Sequence, residues 1–154
     1  MIVPNVRVER MEMTVEQLLN TFYIVDPDEA VLQGYQLEDF TYYIESLLIG
    51  TSVMPFVIGE NPNLKGKDRP YEVVDGKKRF AILRKYLRDD FALTDCRFYK
   101  EPSQHTFSEL PRSLQRRLKD THVQVFEVYE CGFGIGNYKA VCRSVRGEDN
   151  YRNL

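Results

Sequence analysis

Lys77, Lys78 and Arg79 follow an Asp75-Gly76 pair in the stretch "YEVVDGKKRFAILRKYL", residues 71–87. A short apolar strand ends there, Asp-Gly makes a tight turn, and a helix begins on three cations. The positive end of the helix dipole makes cations unfavourable in that place. The same helix end offers free backbone N–H groups to an anion. Lysine adds a point charge, and arginine adds a planar fork that can grip two phosphate oxygens. Asp75 beside them can orient the cations or help hold a hydrated metal ion on a nucleotide. The chemistry on offer is phosphate binding. The alternative is a solvated turn ahead of a helix.

Other constellations offer less. No Gly-x-x-x-x-Gly-Lys-Ser/Thr loop exists, which excludes a P-loop NTPase. "GFGIG" at 132–136 lacks the Gly-x-Gly-x-x-Gly spacing and reads as a turn. His105 and His122 have no partners at zinc-ligand spacing, and Cys96, Cys131 and Cys142 form no Cys-x-x-Cys pair. No metal site is expected from the protein's own side chains. No Gly-x-Ser-x-Gly nucleophile elbow occurs.

The chain of 154 residues is long enough for one domain with a proper core. Its net charge of -2 conceals an asymmetry. Residues 1–64 hold ten acids and two bases, whereas residues 65–154 hold thirteen acids and nineteen bases. The bases concentrate between Lys65 and Lys119, where they can form a local anion-binding face. No run of about 20 apolar residues is present, so no membrane span is expected. The N-terminus has no signal-peptide pattern, and the cysteine usage fits a reducing cytoplasm.

The elements around the basic turn follow from periodicity. "VRVERMEM" alternates like an edge strand, and Thr14 with Gln17 makes a capping box for a short helix. "LEDFTYYIESLLIG" is the clearest helix, with Phe40, Tyr43, Ile44, Leu47 and Leu48 on one face and Gly50 as its stop. "MPFVIG", "YEVV", "FALTDCRFY" and "THVQVFEVYE" read as strands. "KKRFAILRKYLRD" is a helix with Phe80, Ile82, Leu83 and Leu87 inward. "SELPRSLQRRLKD" is a helix capped by Ser108, with Pro111 in its first turn. Residues 137–154 suggest a final helix and tail. Interleaved short helices and strands predict an α+β or α/β single domain.

"VVDGKKRFAIL" resembles the "VDGQQRLTAL" box of the GmrS-type domain of unknown function, found in GmrSD-like restriction systems within the ParB/sulfiredoxin-like superfamily. It also looks like the "GERR" phosphate motif of ParB nucleotide-binding domains. "YYIESLLIGTSVMPFVI" is similar to the family's segment before the box, and "FSELPRSLQRRLKDTHVQVFEV" to the one after it. The likeness covers roughly residues 12–154. The family's two glutamines are Lys77 and Lys78 here, and no His-Asn-His nuclease motif follows. The resemblance implies an α+β, ParB/sulfiredoxin-like single domain over residues 1–154, a small mixed sheet with packed helices. It implies a cytoplasmic nucleotide-binding domain, a weak NTPase in restriction-modification or phage defence, taking an NTP with Mg²⁺. Arg79 would be the principal phosphate ligand, with Gly76, Lys77 and Lys78. Asp75 would be catalytic, beside the metal or the water, and Gln33 or Gln36 would stand for the family's loop glutamine. A nuclease domain or another protein would be the partner. The competing readings are a DNA-binding or DNA-nicking module, with Arg84, Arg88, Arg116 and Arg117 as DNA contacts, and a non-enzymatic interaction domain.

Overall fold

A computed structural model describes residues 6–24, 26–51, 54–60 and 71–130. The expected turn at 132–136, the final helix, Cys131, Cys142 and the loop around Lys65 lie outside the described residues. The fold is α+β, built on a mixed four-stranded sheet. In chain order come β1 (Val6–Thr14), α1 (Val15–Thr21), α2 (Asp28–Val31), α3 (Leu37–Ile49), β2 (Phe56–Glu60), β3 (Tyr71–Asp75), α4 (Lys77–Leu87), a 3₁₀ turn (Phe107–Glu109), α5 (Arg112–Lys119) and β4 (His122–Glu130). The sheet order is β1-β4-β2-β3. β1 is antiparallel to β4, β4 is parallel to β2, and β2 is antiparallel to β3.

Alternation along the strands decides which face receives the helices. Met11, Met13, Val123, Val125, Phe56, Ile58 and Val73 share the core with the apolar stripes of the helices. α3 buries Phe40, Tyr43, Ile44, Leu47 and Leu48, the five residues its periodicity marks. Gly50 ends that helix at φ +79, the left-handed stop that glycine favours. Thr14 and Gln17 form the capping box that opens α1. A run of rings then links the layers: Phe40 to Phe91 at 5.3 Å, Phe91 to Tyr86 at 5.2 Å, and Tyr86 edge-on to Phe107 at 6.0 Å.

Two expected elements take another form. Residues 91–99 are not a strand. Five of their backbone donors go to side chains instead: Thr94 N–H to Thr41 Oγ1 at 2.8 Å, Cys96 N–H to Ser103 Oγ at 3.0 Å, and the next three to Glu45. A segment whose donors are taken in this way does not join a ladder. The expected helix from Ser108 is divided into the 3₁₀ turn and α5. Pro111 explains the break, because the residue before a proline is driven out of the helical region, and Leu110 sits at ψ 149. Ser108 therefore caps no helix. Its N–H donates to Asp89 Oδ1 at 2.8 Å and its hydroxyl to Asp89 Oδ2.

That contact carries a pH dependence. The Ser108 hydroxyl, and after it the Ser108 N–H, hold the Asp89 carboxyl below its usual range. A carboxyl lowered on folding stabilises the protein above its unfolded pKa of about 4 and loses that contribution as pH falls through the folded value. Ser108→Ala is expected to bring the Asp89 titration back toward the ordinary carboxylate range, read by NMR of the side-chain carboxyl. Acid unfolding should then begin at a slightly higher pH. An Asp89 titration unchanged by the substitution would remove the Ser108 contact from the account.

Candidate functional site

β3 and α4 are joined by one residue, Gly76, at φ +99. A β-carbon there would lie 2.7 Å from Phe56 Cδ1 and 2.8 Å from Arg79 Nη2. Only glycine makes this turn with Phe56 and Arg79 in place. The first helical bond runs from Phe80 N–H to the Gly76 carbonyl at 2.9 Å, and the N-cap glycine has no side chain with which to cap the helix. The donors of the first turn thus point away from the helix body.

The three cations of this turn have different surroundings. Lys77 reaches Asp26 Oδ2 at 3.0 Å, with both side chains partly in solvent. Lys78 donates to the Tyr35 hydroxyl at 2.7 Å and lies over that ring, 4.5 Å from its centroid. Its partner is uncharged, so its charge is not neutralised there. Arg79 is turned inward and is 2% exposed. Its guanidinium donates to the carbonyls of Met54 at 2.5 Å and Pro55 at 3.1 Å and stacks on Phe56 at 4.6 Å. Arg79 thus pins the start of α4 to the chain leading into β2. Tyr43 is buried nearby, and burial pushes its hydroxyl up to about 12, with the charge of Arg79 acting in the opposite direction.

Periodicity could have placed Arg79 inside. Positions 79, 83 and 86 fall on one helical stripe, and Leu83 and Tyr86 are both fully buried. Gln33 and Gln36 are exposed on either side of Tyr35, so the Lys78–Tyr35 contact brings their loop against the basic turn. Gln36 also precedes α3, where its N–H donates to Asp39 at 2.8 Å. Asp75 ends β3 half-buried, opposite Val57. Among the described residues no group of three or more His, Cys, Asp or Glu side chains could hold a metal ion. Asp75 is the one carboxylate of the box.

The remaining sequence candidates lie elsewhere. Arg84 is ion-paired with Asp28 and holds α2 against α4. Arg88, Arg116 and Arg117 are exposed. Sequence reasoning missed Glu45. It is 2% exposed, and its carboxylate accepts N–H bonds from Arg97 at 3.2 Å, Phe98 at 2.9 Å and Tyr99 at 3.0 Å. Its sequence signal is an acid adjoining the apolar stripe of α3.

No helix among the described residues is long and apolar enough to cross a membrane. Comparison of the chain with family models, with curated proteins and with solved structures returned no match.

Proposed function

We propose that this chain is a nucleotide-binding domain of the ParB/sulfiredoxin-like type whose phosphate cradle is the first turn of α4. The observation that carries the reading is the helix opened by Gly76, an N-cap with no side chain, flanked by Lys77 and by a Lys78 whose side-chain partner among the described residues is neutral. A cation at a helix N-terminus opposes the dipole, and an anion at the same spot favours both. The exposed pair between Lys77 and Asp26 contributes at most about 1 kcal/mol, so an incoming phosphate can replace Asp26 as the counter-ion. Arg79 acts from inside by fixing the turn. Gln33 and Gln36 offer amide groups to the base or ribose. Asp75, half-buried at the end of β3, would be the carboxylate that aligns a water on the terminal phosphate.

Calorimetric titration with each NTP and Mg²⁺ tests this. The wild type should bind at least one nucleotide. Lys77→Ala/Lys78→Ala should weaken binding tenfold or more while the thermal transition moves little, because both side chains are only half-buried and neither belongs to the core. Asp75→Asn should keep binding and reduce phosphate release. The absence of heat with every nucleotide would overturn the proposal.

A further inference from the structure

α4 carries five cations and α5 four, and neither helix carries a carboxylate. Their solvent faces meet α1 along two adjoining clefts of about 280 and 370 Å³. Arg88 lines the first, Arg112 and Arg116 line the second, and Glu16 and Lys119 line both. The two clefts therefore form one strip. Within it Lys119 pairs with Glu16 at 3.4 Å, and Asp120 is a second acid. Among the described residues no carboxylate pairs with Arg88, Arg112 or Arg116.

Arg112, Arg116 and Lys119 stand at i, i+4 and i+7, one face of α5, and span about 10 Å along its axis. Favourable helix-dipole placement explains Arg116 and Lys119 in the last turn. It does not explain Arg112, which opens the helix where a cation costs stability. We propose that this strip binds the phosphate backbone of a nucleic acid. A duplex presents one charge per roughly 1.7 Å of axis, so a strip of this length faces several phosphates at once. Arginine predominates in it, and the planar guanidinium suits phosphate oxygens. Leu19, Leu87 and Phe107 line the first cleft, but the second, which holds Arg112 and Arg116, is lined by charged residues and Gln115 alone and offers no apolar anchor for a protein segment. Arg84 also lines the first cleft but is held there by Asp28, and Arg117 lines neither cleft.

The test is fluorescence anisotropy of a labelled 20-base-pair duplex across a salt series. Wild type should bind at low salt with a steep slope of log K against log salt. Arg112→Glu/Arg116→Glu should bind at least tenfold more weakly, with the slope reduced by about two. Arg97→Glu/Lys100→Glu makes the same change in net charge, away from both clefts, and should bind as the wild type does. Nucleotide binding at α4 should be unchanged in both variants, which separates this site from the other. Four results would each overturn the proposal: no duplex binding at low salt, equal loss in the control variant, displacement of the duplex by polyglutamate as readily as by unlabelled duplex, or displacement by free nucleotide at equal phosphate concentration.

Discussion

Glu45→Ala is expected to cost about 4 kcal/mol of stability, the largest effect of any single substitution considered. The carboxylate is buried and accepts three backbone N–H groups, one on Oε1 and two on Oε2. Alanine leaves those part-buried donors without an acceptor, and an orphaned donor costs about 1–3 kcal/mol where it is fully buried. Water entering the vacated space returns part of that sum. Glu45→Gln keeps the shape and one acceptor oxygen, but it sets an NH₂ group against a donor, and should cost about 2 kcal/mol. At roughly 2–4 °C per kcal/mol, the alanine variant should melt about 8–16 °C lower. Urea denaturation followed by circular dichroism measures both. An alanine variant within about 0.5 kcal/mol of wild type would mean that residues 97–99 do not rely on Glu45.

Gly76→Ala is expected to cost about 3 kcal/mol and to abolish nucleotide binding with it. A left-handed conformation costs a residue with a β-carbon about 1 kcal/mol or more. The added carbon also meets Phe56 and the Arg79 guanidinium at under 3 Å, and Phe56 is fully buried. Overpacking of that kind costs about 1–3 kcal/mol. Gly34 and Gly50 are built-in controls. Both have positive φ, but a β-carbon at either would meet nothing within 4 Å. Alanine there should cost about 1 kcal/mol. A Gly76→Ala protein as stable as the Gly50→Ala protein would show that the Arg79–Phe56 stack yields easily, and Arg79 would lose its pinning role.

Where a local interaction decides the structure, the sequence was readable. Thr14 with Gln17, Gly50, and the apolar stripe of α3 act within a few residues of themselves. The strand–turn–helix around Gly76 was readable for the same reason. Residues 91–99 were not, because Thr41 and Glu45, which claim four of their backbone donors, lie about fifty residues earlier in the chain. Apolar content alone made that segment resemble a strand. Arg79 carries two signals. Its charge suits a phosphate, while its helical position puts it on the buried stripe. The structure resolves that conflict with the carbonyls of Met54 and Pro55, an arrangement with no local sequence signature. The charge asymmetry gave the basic side of the protein, but not that Arg84 is held by Asp28 while Arg88 and Arg116 stand along one strip.

The sheet order has a consequence for how the chain is made. Val8 pairs with Val128, and Val57 pairs with Phe126. β4 is thus the only strand among the described residues that touches both β1 and β2. A ribosome adding roughly 5–20 residues per second needs on the order of 6–25 s between emitting β1 and emitting β4. Throughout that interval the first strand lacks its partner among the described strands, and the hairpin of β2 and β3 lacks β4 along one side. The sheet can close only after synthesis has passed residue 130, so a nascent chain stalled before β4 would hold Met11, Met13, Phe56 and Ile58 without the strand that joins them.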